Sequence, residues 1–489
     1  MRKLILILFC VFCVTSMRSQ VVIASKNFPE SSVLAELIAQ TIEQNTGLDV
    51  ERKFGLGGTL ICYEALKSGE IDIYPEYTGT ALTAILKLPY GGKNPDEVLQ
   101  IVREKLKEEQ LRVAPLFGFN NTYVLATRPE LQLEKISDLK GQGQLNFGFS
   151  NEFTQREDGF PGLNKAYNLG LSTPRGLDHG LAYKALSDGS IDITDAYSTD
   201  GKLSTFGFQL LEDDKNFFPP YYAFPLISEA AALRYPKLLD ALDLLEGKLD
   251  EQTMRELNYR YEVSGELLPA IAFDFLKEKG IVDQRPESAA MHPIVKQTID
   301  HLKLTLLATL IAVLLAVPMG MGIIGKKRLA NVVMSATGAV QTIPSLALLG
   351  FMIPLFGIGF LPAVIALFLY ALLPILRNTY TGLQETDPIL IEAGKAMGMT
   401  KNQILFQLRL PLAANVIMAG IRTALTINIG TATLAAFIGA GGLGESIITG
   451  ITLNDNNLIL QGAIPAALLA LIADRLMLWL QKSLTPKGG

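Results

Sequence analysis

The stretch YEALKSGEIDIYPEY, residues 63–77, decides the fold because a second version, YKALSDGSIDITDAY, occupies residues 183–197. Tyr, Ala-Leu, Gly, Ile-Asp-Ile and a final Tyr hold the same places in both. Each copy predicts a helix end, a glycine stop, a short strand at Ile-Asp-Ile and a tyrosine just past the strand. Two copies are too few for a solenoid, so they indicate two similar lobes. Since ligands of open α/β sheets bind beyond the carboxyl ends of strands, Tyr77 and Tyr197 are expected to face each other across a cleft.

The surrounding residues extend this pattern into a soluble α/β domain over residues 20–280. Alternating strands and helices predict lobe 1 at about 20–115 and 225–280, and lobe 2 at about 125–218. Crossovers at about 112–127 and 215–226 would join the lobes into a hinged clamshell of the periplasmic-binding-protein type. The loop GLGGTL, residues 55–60, has two interpretations: a tight turn before a helix, or a site for an anion at the helix N-terminus.

Composition separates the rest of the chain into an N-terminal leader, a linker and a membrane part. The 489 residues exceed one ordinary domain. Residues 1–19 combine a basic start with a short apolar run, which predicts a signal peptide or an uncleaved N-terminal anchor. Only Cys62 follows this leader, so no disulfide is expected in the exported part. The net charge of −5 is modest and says little about partners, but the lack of a basic patch interleaved with aromatics argues against a nucleic-acid partner.

After a linker at 281–297, residues 298–481 predict an all-α membrane domain of about five helices. The five apolar runs lie near 302–324, 331–357, 360–380, 410–437 and 458–480. If the binding domain is outside the cell, the first span ends at the basic residues 326–328, as the positive-inside rule requires. Asp474 and Arg475 lie in the last run, either as a structural pair near the inner end or as functional intramembrane charges.

Tyrosines cluster at the expected edges of the cleft. Ring faces carry a negative quadrupole, so several tyrosines around one space attract a quaternary ammonium, which has no N–H to donate. The alternative is that they are ordinary core or surface residues. The tyrosines are Tyr77, Tyr123, Tyr197, Tyr221 and Tyr222. The predicted partners for a carboxylate on the same ligand are Thr80, Asn120, Asn121 and Arg156, although a surface salt bridge would also explain Arg156.

Five motifs in this half resemble the substrate-binding domains of quaternary-amine ABC importers for glycine betaine, choline or carnitine. These motifs are SKNFPES, IDIYPEYTGT, GFNNTY, DAYSTDG and FFPPYYAFP. The resemblance implies a cage formed by Tyr77, Tyr197 and Tyr221, a carboxylate contact at Thr80, and ligand contacts at Phe28 and Ser31. Family members often have a ligand-contacting glutamine where this chain has Ser31, which makes ergothioneine, a trimethylated histidine derivative, the alternative ligand.

The segment 382–411 resembles the cytoplasmic coupling motif of ABC-importer permeases. The matching residues are Glu392, Ala393, Gly398, Leu410 and Pro411, whereas Gly394 and Leu408 depart from the motif. Short helices joined by a glycine turn would fit a groove on a partner. No Walker motif occurs in the chain, so the ATPase is expected to be a separate subunit. The resemblance further implies a permease homodimer in the cytoplasmic (inner) membrane, with no cofactor and no metal.

Two other classes of function fit the sequence less well. A membrane receptor or sensor should carry an output domain after the last span, where the sequence has only about eight residues. An enzyme should carry a catalytic or metal-binding constellation, but the only histidines are His179, His292 and His301, and they do not suggest one. The sequence therefore favours the fused solute-binding and permease subunit of an ABC importer.

Overall fold

The computed structural model describes residues 20–172, 174–177, 179–284, 293–453 and 455–484. The predicted leader (residues 1–19) and residues 285–292 of the predicted linker, which include His292, lie outside these residues. The chain divides into two compact units, Met1–Pro286 and Glu287–Gly489. The first is an α/β unit and the second is entirely helical, in agreement with the predicted fold class.

The first unit contains two groups of strands, one in each lobe. The first lobe has a five-stranded sheet in the order β2-β1-β3-β10-β4, and the second lobe has the sheets β8-β5-β9 and β6-β7. The strands are β1 (Val21–Ala24), β2 (Val50–Lys53), β3 (Ile73–Tyr77), β4 (Leu111–Val113), β5 (Tyr123–Thr127), β6 (Gly148–Ser150), β7 (Arg175–Leu177), β8 (Ile193–Tyr197), β9 (Gln209–Leu211) and β10 (Ala223–Ser228).

Helices of the first unit cover these sheets. They are α1 (Pro29–Thr46), α2 (Thr59–Ser68), α3 (Thr78–Thr80, continued by a π-turn at Ala81–Ile85), α4 (Pro95–Glu108), α5 (Phe160–Tyr167), α6 (His179–Ser187), α7 (Leu203–Phe206), α8 (Glu229–Arg234), α9 (Lys237–Asp243), α10 (Glu251–Glu262) and α11 (Leu268–Glu278). Helix α1 lies at the centre, with Pro29 in its first turn and Gly47 ending it at φ 71°. Its long buried face packs into the core of the first unit.

The chain passes between the lobes twice, and the two crossovers run side by side. The amide of Phe117 donates to the carbonyl of Ala223, and the amide of Asn121 donates to the carbonyl of Tyr221. The outgoing and returning segments are therefore linked by backbone hydrogen bonds. This arrangement matches the predicted clamshell and brings Asn121 and Tyr221 to the junction of the lobes.

The two repeated stretches adopt the same local structure, but their strands begin later than predicted. Strands β3 and β8 start at the last Ile of Ile-Asp-Ile and end on the tyrosine, so Tyr77 and Tyr197 are the last strand residues. The aspartate explains the shift because its side chain binds a backbone amide. Asp72 accepts from Val22 at 2.8 Å, and Asp192 accepts from Asn146 at 2.8 Å.

The second unit is a helical bundle. Its helices are α12 (Pro293–Ile323), α13 (Lys327–Thr342), α14 (Ser345–Phe356), α15 (Phe360–Gln384), α16 (Pro388–Ala396), α17 (Lys401–Gln403, continued by a π-turn at Ile404–Arg409), α18 (Leu410–Thr431), α19 (Gly444–Leu453) and α20 (Asn456–Leu484). Within the described residues, four helical stretches are long and apolar enough to cross a membrane. The expected span at 331–357 is a pair of helices, α13 and α14, bent by 99°, and the count is five if this pair crosses the membrane as one span.

Candidate ligand-binding site

A small cavity of about 20 Å³, here called the inner cavity, lies where the lobes and crossovers meet. Seven of the eight ligand residues proposed from the sequence line it. They are Phe28, Tyr77, Thr80, Asn121, Arg156, Tyr197 and Tyr221. Residues that are up to 193 positions apart in the sequence therefore meet at one site.

Ser31 is the proposed residue that does not line the inner cavity. It is fully buried in the first turn of α1, and its hydroxyl accepts a hydrogen bond from the backbone amide of Lys26 at 2.9 Å. This bond ties the loop after β1 to the start of α1. In this structure Ser31 shapes the loop that carries Lys26 and Phe28, so the substitution at this position does not itself distinguish between ligands.

An aromatic wall forms one side of the inner cavity. The ring of Phe28 lies 6.2 Å from Tyr77 and 5.6 Å from Tyr197, measured between centroids. Tyr123 lies 5.1 Å from Tyr197 and meets Tyr221 edge-on at 5.5 Å. Contacts between neighbouring rings fix their orientation and so define the shape of the cavity.

Two buried carboxylates hold the hydroxyl groups of this wall. Tyr77 donates to Oε1 of Glu30 at 2.7 Å, and Tyr221 donates to Oδ2 of Asp158 at 2.7 Å. Burial raises the pKa of Glu30, although bonds from Thr199, Tyr77 and Asn258 oppose the rise. Burial alone would raise the pKa of Asp158, but bonds from Arg156 and Tyr221 hold it below its ordinary value.

The inner cavity also has a polar, cationic side. Lys26 is 3% exposed, and its Nζ lies 2.5 Å from Glu76 and 5.1 Å from the centroid of Tyr77. Arg156 pairs with Asp158 and donates from Nη2 to the hydroxyl of Thr80 at 3.3 Å. Arg156 is buried at the lobe junction, so its ion pair is not the surface salt bridge considered from the sequence.

Four further residues line the inner cavity that were not among the proposed ligand contacts: Lys26, Thr59, Tyr123 and Glu152. Tyr123 already belonged to the tyrosine cluster, and Lys26 and Thr59 lie in the quoted motifs SKNFPES and GLGGTL. The sequence therefore offered a clue to Lys26, Thr59 and Tyr123, namely the motif or cluster that contains each of them. Glu152 lies in an irregular loop, and no pattern in the sequence marks it.

In the helical unit, the proposed coupling segment forms two short helical pieces joined at a glycine. Asp387 caps α16 by accepting from the amide of Ile389, and Gly398 follows the helix with φ 83°. Glu392 and Ala393 lie on α16, while Leu410 and Pro411 begin α18. Ile389 and Met397 are each about three-quarters exposed, so this segment presents apolar side chains on its surface.

Two α/β lobes with a binding site at their junction are typical of a solute-binding protein. An apolar helical bundle on the same chain is typical of a permease. The chain belongs to the family of substrate-binding domains of ABC-type glycine betaine transport systems, which it matches over residues 19–278. Residues 308–486 match the inner membrane component of binding-protein-dependent transport systems. The chain is thus an ABC-importer subunit that fuses both parts, which confirms the family predicted from the motifs.

Relatives of both kinds are similar to this chain. A choline transport system permease protein of Bacillus subtilis is 45% identical over 195 residues, covering 40% of this chain and 90% of that protein. An osmoprotectant import permease protein of Salmonella typhimurium is 49% identical over 39% of this chain and 91% of that protein. An ergothioneine transport permease and binding protein of Helicobacter pylori is 36% identical over 53% of this chain and 48% of that protein.

Proposed function

We propose that the chain binds and imports a zwitterion that carries a quaternary ammonium group and a carboxylate. The observation that carries this proposal is the inner cavity itself, where an aromatic wall faces Lys26, Arg156 and Thr80. Glycine betaine, carnitine and related trimethylated amino acids have both groups a few ångströms apart. Choline lacks the carboxylate and would use only the aromatic wall.

The aromatic wall suits the cation. A trimethylammonium group cannot donate an N–H hydrogen bond, so it gains from ring faces and from the exclusion of water. Tyr77 and Tyr221 keep their hydroxyl groups on Glu30 and Asp158, which leaves their rings available to the cavity. The proposed cage therefore comprises Tyr77, Tyr197 and Tyr221, extended by Tyr123 and Phe28.

The cationic side suits the carboxylate. Nε and Nη2 of Arg156 donate hydrogen bonds to Asp158. Nη1 of Arg156 lies 3.8 Å from Oε2 of Glu152, which is beyond hydrogen-bond distance. Nη1 can therefore donate to an incoming carboxylate, together with Lys26 and the hydroxyl of Thr80. Asn121 lines the same cavity and is held by Glu30 at 2.8 Å.

Ergothioneine, or another trimethylated amino-acid derivative, is the second candidate ligand. Two observations favour it: the Helicobacter pylori relative named as an ergothioneine transport permease and binding protein, and a much larger cavity that adjoins the cage. This candidate keeps the same cage and carboxylate contacts. It differs in the size of the side chain that the ligand carries.

We further propose that the energy comes from a separate ATPase subunit that docks on the coupling segment. The exposed apolar residues of α16 and its glycine turn support this assignment. Two copies of the chain would form the pathway in the cytoplasmic membrane. The binding unit would lie outside the cell, which places the basic residues 326–328 inside, as membrane charge asymmetry favours.

The test of the cage is Tyr197→Ala in the purified full chain in nanodiscs, with glycine betaine and carnitine titrated by calorimetry. Loss of one ring should weaken binding of both ligands about tenfold, because a desolvated cation–π contact contributes roughly 1 to 2 kcal/mol. Tyr197→Phe, which keeps the ring, should bind within a few-fold of the wild type. Tyr259→Ala, which removes a ring exposed on α10, is the matched control. Unchanged affinity in Tyr197→Ala would reject the cage.

A further inference from the structure

A second, much larger cavity adjoins the inner cavity and shares three lining residues with it. This outer cavity has a volume of about 1,070 Å³ and is lined by residues of both lobes. Thr59, Glu152 and Arg156 line both cavities, so they mark the passage between them. A ligand anchored in the cage can therefore extend a side chain past these three residues.

Thr59 presents an unused hydroxyl at this passage. It is 4% exposed, and its Oγ1 has no hydrogen-bond partner in the described part of the chain. A buried hydroxyl without a partner is unfavourable, which indicates that a bound molecule satisfies it. Thr59 is also the first residue of α2, whose N-cap is Gly58 and has no side chain to cap the helix. The first turn of this ten-residue helix, at Thr59 and Leu60, lines the outer cavity as well.

Glu152 approaches the passage from the other lobe. A Cβ on Gly58 would lie 2.1 Å from Oε1 of Glu152, so the carboxylate rests directly against the glycine loop. Its Oε2 lies 3.8 Å from Nη1 of Arg156, which is too far for a hydrogen bond. The passage thus combines a hydroxyl and the first turn of a helix with a carboxylate that can accept an N–H.

We propose that Thr59 and Glu152 form a second recognition site, which binds a polar, N–H-bearing side chain of a trimethylated amino acid. This inference rests on the proposed function, because the cage and the cationic side hold the ammonium and the carboxylate of the same ligand. The preferred ligand is then larger than glycine betaine. Glycine betaine has no side chain that could extend past Thr59 and Glu152 toward the outer cavity.

The experiment compares two probes, glycine betaine and histidine betaine (Nα-trimethylhistidine), by calorimetry on the full chain in nanodiscs. The wild type should bind histidine betaine at least about tenfold more tightly. Thr59→Val and Glu152→Leu, which remove the hydroxyl and the acceptor, should each weaken histidine betaine about three- to tenfold, the effect of one lost hydrogen bond. Glycine betaine should lose less affinity than histidine betaine in each variant. Thr59→Ser, which keeps the hydroxyl, should retain the wild-type preference.

The outcomes separate this inference from the proposed function. Equal affinity for both probes, or an equal loss of both in Thr59→Val and Glu152→Leu, overturns the second recognition site while the cage remains supported. Failure of the wild type to bind either probe overturns the proposed function, and this inference with it. Near-ultraviolet circular dichroism of each variant, dominated by tyrosines of the binding unit, verifies that the variant is folded.

Discussion

Glu30 joins both lobes at a single buried carboxylate. Its Oε1 accepts from Tyr77 at 2.7 Å and from Asn121 at 2.8 Å. Its Oε2 accepts from the hydroxyl of Thr199 and from Asn258 at 2.9 Å. Four donors from the first lobe, a crossover, the second lobe and α10 thus converge on one side chain. Glu30 therefore positions Tyr77 and holds the lobes in the closed arrangement.

Replacing Glu30 by Gln should destabilise the binding unit. The new amide nitrogen would face donors that need an acceptor, which should cost about 2 to 4 kcal/mol. The midpoint of thermal unfolding should fall by about 5 to 10 °C, followed by near-ultraviolet circular dichroism of the tyrosines. Glu51→Gln, on the exposed edge strand β2, is the matched control and should not shift the midpoint. A wild-type midpoint in Glu30→Gln would show that the four bonds contribute little.

His179 supports the aromatic wall from behind. Its ring lies 4.8 Å from that of Tyr197, and its Nε2 lies 3.0 Å from Oδ2 of Asp200. Burial alone would lower the pKa of His179, but the carboxylate of Asp200 outweighs it and raises the pKa to about 9. The imidazole is therefore protonated at neutral pH and stabilises the strand end that carries Tyr197.

The stability of the binding unit should consequently fall at alkaline pH. A raised histidine pKa contributes stability that is complete below the ordinary value of about 6.5 and is lost as the pH rises through about 9. The loss attributable to His179 should approach about 3.5 kcal/mol, given roughly 1.4 kcal/mol for each pKa unit. Unfolding midpoints between pH 6 and 10 measure it.

His179→Gln tests this contribution. Glu262, whose pKa burial and Asp200 raise to about 8, titrates in an overlapping window and with the same sign, and the charge of His179 lowers the pKa of Glu262. The difference between wild type and His179→Gln therefore reports the histidine together with its effect on Glu262. The variant should be less stable at pH 6.5 and nearly equal to the wild type above pH 10. Parallel curves for the two proteins would contradict the assignment.

At this scale the sequence predicted residue types better than contacts. The tyrosines were identifiable because their rings are rare and clustered, and their chemistry is specific to a cation. Glu152 was not, because an ordinary carboxylate acquires meaning only from burial and from the opposite lobe, and Thr59 was marked only by its place in the glycine loop. Ser31 is the opposite case. It lies in a family motif and was proposed as a ligand contact, but its hydroxyl binds the backbone amide of Lys26.

Among the elements, the bend between α13 and α14 is the clearest departure from expectation. Hydropathy predicted one span at 331–357, because an apolar composition does not show where the helix axis bends. Pro344 lacks an N–H and keeps Ile343 extended, with ψ 126°, so the helix ends there. The freed carbonyl of Ile343 accepts a bond from the hydroxyl of Tyr370 on α15, which stabilises the break.

In the coupling segment, the two departures from the family motif are in contact with each other. A Cβ on Gly394 would lie 2.8 Å from Cδ1 of Leu408 and 3.1 Å from Sδ of Met399. Because Gly394 has no Cβ, there is space beside it for Cδ1 of Leu408. The sequence showed both departures, but their spacing gave no indication that they compensate.

Gly394→Ala should therefore lower the unfolding midpoint of the helical unit, because overpacking of about 1 to 3 kcal/mol outweighs the helix propensity gained. Adding Leu408→Ile should restore most of it, with a coupling energy of at least about 0.5 kcal/mol. Fluorescence of Trp479, the only tryptophan in the chain, reports this unit. Gly338→Ala, at an open helix position, is the control. Additive effects of the two substitutions would reject the compensation.

At the scale of the whole molecule, the internal repeat predicted the architecture correctly. Both copies end a helix at a glycine with positive φ, Gly69 at 77° and Gly189 at 75°, and both carry a tyrosine to the end of a strand. Local preferences determine these features, so one sequence contains enough information for them. Order within the sheets depends on pairing between distant strands, such as β10 with β3, and the sequence alone did not show it.

The fusion of the two units has a kinetic consequence. A separate binding protein reaches its permease by diffusion, and its concentration sets how often the two meet. Here a short covalent connection holds the binding unit at an effective concentration on the order of millimolar near its own permease. Delivery of ligand then becomes a first-order event whose rate does not depend on expression level. Capture capacity is correspondingly limited to one ligand for each permease copy.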